Sequence, residues 1–582
     1  MTSPIEPYRS SLTVFYRIVM LALLGTVIGG VVSLLAIGFV ESVLWLNDRL
    51  LVSPRTRIQH EENPFLVAAA TVLVPAIGGL VVGLILRYLV AERRPLGPPD
   101  TILAVQTRSA PPSVRSGLLS TLAAIVSLGA GASVGQYGPM VYLGTLVGAV
   151  LSRLRLAIPN LQAIAIAGGV AAAISTAFNA PIAGLVFAHE VILRHYSIQA
   201  FAPTAVASAA GYVVANVIFE RPPLFFVAFE GVEHGHEFLL FALVGVLGAL
   251  LAIIFMKAIL ACSAFAGRSR IPQVFRPMLA GLILGVVALQ LPDVLGIGKE
   301  TLRFATIEGA FGIGELALIL VAKLAVTVLC LGFGFAGGVF SPALLIGILF
   351  GALFGSALGD FTAIAHSGVV PYAICGMMAV TSPVIGAPLA MILIVFELTR
   401  SYDLTIAAMV AVVFANLLSY RLFGRSLFDI QLLRRGFDLS LGRGSAILVG
   451  RRLAELMHDD FLRFSPQDEI GEALRRLGES GRAEGLVVER DGTYVGVLRL
   501  GACLARDGSA RVDEAVDRNA LAFDETTSVW QAMEGLRHFL GEIAPVVSAS
   551  DGRLLGVVSE STVIDAYLET VNRLRREENE SL

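Results

Sequence analysis

Apolar runs follow one another through the first three quarters of the chain. Several are too short to cross a bilayer as one straight helix, which needs roughly 20 residues. Others are long enough to tilt strongly or to break midway. The pattern predicts a polytopic membrane domain of uneven, interrupted helices rather than a regular bundle of equal spans. The runs are 14–46, 65–89, 117–151, 161–193, 201–219, 238–262, 278–291, 316–331, 339–358, 369–380, 385–398 and 405–422.

The pattern changes near residue 440, where charged residues begin to alternate with short apolar runs. Two segments, "EGLVVERDGTYVGVLRL" and "APVVSASDGRLLGVVSE", each place an Asp-Gly turn between two apolar strands, and a helical pattern precedes each pair. Gly496 and Gly556 fix the repeat offset at 60 residues. We therefore predict a membrane domain over 1–440 and a soluble α/β domain over 441–582, with repeats at about 452–509 and 512–570.

Composition agrees with a membrane protein and excludes several other classes. Hydrophobic residues make up 55% of the chain, charged residues 15%, and the mean hydropathy is +0.77. A net charge of −3 without a basic face argues against nucleic acid as a partner. Four scattered cysteines argue against a disulfide framework or a metal site. The first apolar run lacks a small-residue cleavage site, so we expect a retained helix rather than a signal peptide.

The membrane domain also repeats itself. "GQYGPMVYLG" (135–144) and "GVFSPALLIG" (338–347) share the pattern G-x₃-P-x₄-G, and "APIAGLVFAHE" (180–190) matches "APLAMILIVFE" (387–397). The two offsets, 203 and 207 residues, keep two halves at about 12–220 and 237–440 in step. Half-molecule repeats with interrupted helices are typical of transporter folds.

Each G-x₃-P-x₄-G segment is predicted to end a loop and begin a helix. Proline is tolerated in a first helical turn, where backbone N–H groups lack intrahelical partners and the helix dipole is positive. Two such helix ends together would bind an anion without a full positive charge, weakly enough to release it. Non-helical backbone at membrane depth lines a cavity or is buried in protein. The alternative is that both segments are only small-residue packing turns.

These motifs resemble those of the CLC family of chloride channels and proton-coupled chloride transporters, over about residues 15–440. The matching segments are Gly135-x-x-Gly138-Pro139, "AFNAPIAG" (177–184), "GGVFSP" (337–342) and "APLAMILIVFELT" (387–399). The tail resembles a tandem CBS module. The resemblance implies an all-α membrane domain of broken, tilted helices in two inverted halves, a cytosolic CBS domain, and a homodimer with one anion pathway per subunit.

The resemblance also implies a set of site residues. Chloride would be held by the amides of Val339 and Phe340, with a second cluster at Gln136–Gly138. The full set of candidate anion-binding positions is Gly97, Gln136, Tyr137, Gly138, Gly338, Val339, Phe340 and Phe428.

Tyr137 stands where the family form G-[KR]-E-G-P has its glutamate, which is both gate and proton carrier. A phenol has a reference pKa near 10, so at neutral pH it stays uncharged and cannot cycle a proton as a carboxylate does. It can donate one O–H bond to an anion, and its ring can plug a pore. We therefore expect Tyr137 to gate the path without taking up and releasing a proton.

Two hydroxyl ligands of the family are missing as well. In the first signature, G-S-G-I-P-E, the serine position falls on Leu96 and the acidic position on Asp100, while Gly97 holds its place. The family's central tyrosine falls on Phe428 in "GRSLF". Our hypothesis is that Tyr137 supplies a hydroxyl to the permeating anion in their place. The alternative is a packed aromatic with the anion path closed or moved.

The second proton station of the exchangers would follow Glu190, at Val191. With both stations lost, we predict passive anion flux without proton coupling. Glu190 and Glu397 have a structural alternative, capping or pairing near helix ends.

Two other functions stay open: an anion/proton exchanger with a different proton path, and a transport-inactive membrane sensor that signals through its CBS tail. No nucleophile–base pair or phosphate loop indicates an enzyme.

The tail keeps only part of the nucleotide pattern that CBS pairs often carry. Ser559 is in place, but Thr562 stands where the ribose-binding Asp is usual, and the first repeat has Arg499 and Ala502 at these positions. We expect a structural or dimerising tail and no cofactor, with adenine nucleotide at the CBS pair as the alternative.

The expected partners are small anions, membrane lipid and a second copy of the chain. The expected location is the plasma or inner membrane. The preferred anion stays open.

Overall fold

The computed structural model describes residues 11–60, 62–107, 111, 113–153, 160–196, 198–222, 229, 231–439 and 443–579. The chain forms two compact units, the first ending at Arg434 and the second beginning at Arg435. The first is almost entirely helical and the second contains helices and two small sheets. The predicted fold class, a helical polytopic domain followed by an α/β tail, is confirmed.

The helices of the first unit differ widely in length, as the apolar runs predict. Three continue into short π-helical turns, at Ile85–Leu89, Ala188–Leu193 and Val213–Ile218. The α-helices are α1 Ser11–Arg49, α2 Pro54–Gln59, α3 Pro64–Leu84, α4 Pro98–Thr107, α5 Val114–Gly129, α6 Tyr137–Leu151, α7 Leu161–Phe178, α8 Pro181–Phe187, α9 Ile198–Tyr212, α10 Glu237–Arg268, α11 Arg276–Gln290, α12 Lys299–Phe304, α13 Ile313–Gly332, α14 Phe340–Phe361, α15 Val370–Ile385, α16 Pro388–Thr399, α17 Tyr402–Leu422 and α18 Leu427–Leu433.

Within the described residues, nine helical segments are long and apolar enough to cross a membrane. They range from the 18 residues of Leu161–Phe178 to the 41 of Val19–Gln59, and five apolar helices are shorter than any of them. A segment of 41 residues crosses only by tilting or bending, and the short helices leave their ends at membrane depth. This unit is therefore an integral membrane domain of interrupted helices.

Close glycine contacts pack equivalent helices in the two halves. A Cβ atom on Gly144 of α6 would lie 2.3 Å from Gly169 O of α7. In the second half, a Cβ atom on Gly347 of α14 would lie 2.6 Å from Gly376 O of α15. The last glycine of each G-x₃-P-x₄-G motif is thus a helix-packing residue, which brings the following helix against the motif helix.

The second unit contains two similar sheets. β1 and β5 each lie parallel to the first strand of an antiparallel hairpin, β2–β3 or β6–β7. The hairpins pair through their turns, because Tyr494 N donates to Gly552 O and Leu554 N to Gly492 O, each at 3.0 Å. The elements are α19 Arg443–Gly450, β1 Arg463–Phe464, α20 Ile470–Ser480, β2 Glu484–Val488, β3 Tyr494–Arg499, α21 Leu500–Leu504, β4 Val516–Asp517, β5 Phe523–Asp524, α22 Val529–Leu536, β6 Ala544–Val547, β7 Leu554–Val558 and α23 Glu560–Asn579.

Candidate anion site

The two G-x₃-P-x₄-G segments, 203 residues apart in sequence, meet in the buried interior of the membrane domain. Gly135 N donates to Gly338 O and Gly338 N donates to Gly135 O, both at 2.7 Å. Ser341 Oγ accepts a further bond from Gln136 N at 3.3 Å. The reciprocal pair relates the two turns by a local two-fold arrangement, and it places the beginnings of α6 and α14 side by side.

Glycine is required at these turns because the two backbones touch. A Cβ atom on Gly338 would lie 2.9 Å from Gly138 N and 3.1 Å from Gly138 Cα. A Cβ atom on Gly135 would lie 2.8 Å from Gly338 O. No side chain fits between the paired turns, so the motif glycines permit the contact itself.

Both helices begin with unpaired backbone donors of the kind that bind anions. α6 begins at Tyr137 and α14 at Phe340, with Pro139 and Pro342 in their first turns. Among the described residues, the N–H groups of Tyr137 and Phe340 have no hydrogen-bond partner. First-turn N–H groups without intrahelical partners, at the positive end of a helix dipole, suit a small anion.

Tyr137 lies in a cluster of aromatic rings at the junction of these helices. Its ring centroid is 4.2 Å from that of Phe178 and 5.3 Å from that of Phe340, and Phe187 lies 6.2 Å from Phe340. Only 1% of Tyr137 is exposed. The ring therefore fills the space beside both helix beginnings, as a plug would.

The polar atoms beside this cluster are not satisfied by protein groups. The Tyr137 hydroxyl lies near the Gln136 side chain. Even so, neither Tyr137 Oη nor Gln136 Oε1, both buried, has an aligned hydrogen-bond partner among the described residues. A buried polar atom left unpaired costs about 1–3 kcal/mol, so such atoms usually serve a ligand, water or a chemical role.

The first signature lies against the same junction, in the loop before α4. A Cβ atom on Gly138 would lie 3.7 Å from Pro98 Cδ, while the space around Gly97 is open. Leu96 is buried and presents no hydroxyl. Asp100 is held in place, since its carboxylate accepts from Gly97 N at 3.0 Å and pairs with Arg94 at 2.5 Å.

Neither Phe428 nor Val191 takes part in the ring contacts of Tyr137. Phe428 is buried in α18, which packs against α4 and α15, and in the described part of the chain it makes no ring contact. Val191 is buried in the π-helical turn after α8 and offers no titratable group. Arg194, just beyond, forms an ion pair with Asp429 of α18.

Glu190 caps the beginning of the helix that carries Glu397, and Glu397 caps the beginning of the helix that leads to Glu190. The carboxylate of Glu190 accepts from Leu389 N and Ala390 N, both at 2.9 Å, at the beginning of α16. The carboxylate of Glu397 accepts in the same way from the beginning of α8, from Ile182 N at 2.9 Å and Ala183 N at 2.7 Å. The capping alternative for both residues is confirmed.

The tail positions that the nucleotide pattern singled out bond to neighbouring protein groups. Ser559 Oγ lies 2.8 Å from Thr562 Oγ1 and accepts from Thr562 N at 3.2 Å, which begins α23. In the first repeat, Arg499 Nε donates to Glu484 at 3.1 Å, and Arg499 Nη1 donates to Asp517 at 3.0 Å. An arginine with two carboxylate partners fills the place of a small hydroxyl side chain.

Sequence reasoning missed two residues of the junction. Phe178 ends α7 inside "AFNAPIAG", and its ring packs against that of Tyr137 at an interplanar angle of 37°. A lone apolar residue in an apolar helix gives no signal for this contact. Ser341 follows Phe340 in the second motif and bonds across to Gln136 N. An alignment of the two halves would have identified Ser341 as a candidate. It precedes the proline of the second motif, as Gly138 precedes the proline of the first.

The paired turns, the broken helices and the repeated halves define a polytopic membrane protein in which two interrupted helix beginnings meet. The chain belongs to the family described as voltage gated chloride channel, whose model matches residues 78–420, more than half of the chain. CBS domains match residues 453–506 and 512–569.

Individual relatives agree with this membership. A ClcB-like protein of Ralstonia nicotianae is 30% identical over 373 residues, which cover 63% of this chain and 87% of the relative. The Escherichia coli voltage-gated ClC-type chloride channel ClcB is 27% identical over 417 residues, 70% of this chain and 97% of ClcB. The crystal structure of a slow cyanobacterial Cl⁻/H⁺ antiporter has the same fold, with a TM-score of 0.63 at 22% identity, over 71% of this chain and 97% of the antiporter.

Proposed function

We propose that the protein carries chloride or similar small anions passively across the membrane, through a pathway at the paired turns of each subunit and without proton coupling. The observation that carries the proposal is Tyr137, a buried phenol with an unpaired hydroxyl at the beginning of α6. It acts as the gate, as a ligand of the anion, or as both. The relatives named chloride channels support chloride as the cargo.

Proton coupling needs groups that load and release a proton along the path, and neither expected position has one. Tyr137 is a phenol and Val191 an apolar side chain. Glu190, next to Val191, uses both carboxylate oxygens on backbone N–H groups of α16. Protonation of Glu190 would break at least one of these two bonds, so its capping geometry opposes a proton-carrying role.

One observation favours the alternative of an exchanger with a different proton path. His189 lies two residues before Val191, and its Nδ1 is 3.0 Å from Leu185 O. Its Nε2 is buried and has no hydrogen-bond partner among the described residues. An imidazole is the side chain whose charge changes near neutral pH. A proton path through His189 would therefore restore coupling without either family carboxylate.

We further propose that the protein works as a homodimer in the plasma or inner membrane, with its CBS tail in the cytosol and no nucleotide bound there. Exposed apolar side chains at equivalent positions of the two halves, Ile182 of α8 and Leu389 of α16, support a two-fold contact. Both are about half exposed in the single chain. Cross-linking of the full chain in membranes tests the dimer.

The anion path is tested by efflux from proteoliposomes that contain the full chain, with valinomycin to balance charge. Tyr137→Phe removes only the hydroxyl, and Tyr142→Phe is its matched control, since Tyr142 is equally buried with an unpaired hydroxyl on the same helix. We expect Tyr137→Phe to raise the half-saturating chloride concentration and Tyr142→Phe to leave it unchanged.

Two further variants test the ring and the missing carboxylate. Tyr137→Ala removes the plug and is expected to speed efflux. Tyr137→Glu adds a carboxylate that competes with the anion, so efflux should slow at neutral pH and recover on acidification. Equal efflux from all Tyr137 variants would contradict a role for this residue, and no flux of chloride, bromide, nitrate or fluoride by the wild type would favour the sensor function.

A further inference from the structure

Two neighbouring cavities lead to Gln136, at the edge of the ring cluster. Their volumes are about 470 Å³ and 850 Å³. Val40, Leu44, Gln136 and Lys299 line both, so the cavities are adjacent and share a wall. Gln136 brings no charge to this wall, but its buried Oε1 is unpaired.

The smaller cavity carries more positive than negative side chains. Arg221 forms an ion pair with Glu41 on α1, so its charge is largely balanced. Lys299 and Arg303, on α12, line the same cavity, and neither has an ion pair or a side-chain hydrogen bond among the described residues. Glu220 is the other carboxylate of this cavity and is exposed.

The two α12 cations lie close together in sequence, with Lys299 half-buried and Arg303 exposed. Like charges at positions i and i+4 of a helix repel each other, and Lys299 and Arg303 have this spacing. Burial, and then the charges of Arg221 and Arg303, lower the pKa of Lys299, while Glu41 and Glu300 oppose this shift. An anion in the cavity would relieve the repulsion.

Lys323, a buried lysine near α12, has a structural role and provides a comparison for Lys299 and Arg303. Lys323 of α13 is fully buried, and its Nζ donates to Val294 O and Gly296 O, both at 2.8 Å. It fastens the loop before α12 and has donors engaged. Lys299 and Arg303 make no such bonds, so their charges stay available to solutes.

We propose that Lys299 and Arg303 form an anion-recruiting site in the cavity in front of Gln136, which takes small inorganic anions from solution and passes them to the paired turns. An excess of positive over negative side chains in a cleft raises the local concentration of anions, and this cavity has three cations, Arg221, Lys299 and Arg303, against two carboxylates, Glu41 and Glu220. The inference rests on the proposed anion path past Gln136 and Tyr137. It adds a site that sets how readily the path fills when the anion is scarce.

The first test compares efflux from proteoliposomes of the wild type, Lys299→Gln, Arg303→Gln and the double variant. The control is Arg270→Gln, which removes an exposed cation that lines neither cavity. At low ionic strength, we expect the double variant to need about threefold more chloride or higher for half-saturation, with little change in the maximal rate. Each single variant should show part of this shift.

The dependence of efflux on ionic strength distinguishes an electrostatic role of Lys299 and Arg303 from a structural one. The Debye length falls from about 30 Å at 0.01 M salt to about 3 Å at 1 M. With ionic strength set by potassium gluconate, the difference between the double variant and the wild type should shrink as salt rises. A difference that does not depend on salt, or a loss of maximal rate alone, would overturn the proposal.

A second measurement does not depend on transport. Crystals of the full chain grown in bromide, measured at the bromine absorption edge, should give a peak between Lys299 and Arg303 that the double variant lacks. No peak in the wild type, or the same peak in the double variant, would overturn the site. A peak in a protein that moves no anion would uphold the site and refute the proposed function.

Discussion

Gly135 and Gly338 exchange two backbone hydrogen bonds of 2.7 Å each, across more than 200 residues of sequence. These bonds join the beginnings of α6 and α14, and with them the Tyr137 and Phe340 rings, into one junction. The same two-fold relation recurs where Glu190 and Glu397 cap helices of opposite halves. The proposed anion site therefore needs both halves, because each half contributes one of the two helix beginnings.

Substitution of Gly338 by alanine should destabilise this junction. The new Cβ atom would lie 2.9 Å from Gly138 N, and backbone cannot move aside as a flexible side chain can. Overpacking of this kind costs about 1–3 kcal/mol. We expect a lower thermal unfolding midpoint for the detergent-solubilised chain, and slower anion efflux.

Gly314→Ala is the matched control for this substitution. Gly314 lies in the first turn of α13, and nothing stands within 4 Å of its Cβ position. Alanine is the better helix former by about 1 kcal/mol, so this variant should melt at or above the wild-type temperature. If Gly338→Ala and Gly314→Ala unfold at the same temperature, the backbones of Gly338 and Gly138 are not in close contact.

The reciprocal caps predict that Glu190→Gln and Glu397→Gln have similar effects. A neutral amide offers one acceptor oxygen where the carboxylate offers two, and hydrogen bonds to charged groups contribute about 1.5–3 kcal/mol. Both variants should lower the unfolding midpoint by similar amounts and leave the absence of proton transport unchanged. Glu315→Gln, at an exposed first-turn position of α13, should change the midpoint little.

A different outcome would reassign these residues. If Glu190→Gln alone altered proton movement, while Glu397→Gln altered only stability, Glu190 would be a proton station and its capping role secondary. Equal melting of both variants with the wild type would show that the four backbone bonds contribute little.

The tail should not respond to adenine nucleotide. Ser559 is engaged with Thr562, and Arg499 is paired with Glu484 and Asp517, so neither repeat offers a free hydroxyl and carboxylate. A ligand present at 100 times its dissociation constant stabilises its site by about 2.7 kcal/mol. We expect no shift of the tail's unfolding midpoint with millimolar ATP, ADP or AMP. A concentration-dependent upward shift would instead identify a nucleotide sensor.

Much of the fold was predictable from the sequence, for particular physical reasons. Uneven apolar runs indicated interrupted helices, because span length is set by the bilayer. The Asp-Gly turns at Gly492 and Gly552 indicated the two hairpins of the tail. The similar offsets of the two repeated motif pairs, 203 and 207 residues, predict two halves with equivalent helix beginnings at Tyr137 and Phe340.

What the sequence did not provide is the pairing across the halves. Spacing places Gly135 and Gly338 at equivalent positions but does not say that they touch, since the contact depends on how the halves pack. The ring contact between Phe178 and Tyr137 arises in the same way. The sequence gives no signal for the cations of α12 either, because a charged residue between apolar runs is usually only solvated. The cavity that Lys299 and Arg303 line exists only in the folded chain.

The central claim is that anions move without protons because Tyr137 and Val191 replace the two proton stations. The most direct measurement is proton movement in lightly buffered proteoliposomes under a steep chloride gradient, with valinomycin present and anion efflux recorded in parallel. The account predicts chloride efflux with no chloride-driven proton movement beyond that of protein-free liposomes. Stoichiometric proton uptake against a proton gradient, abolished by His189→Asn, would contradict it and establish an exchanger.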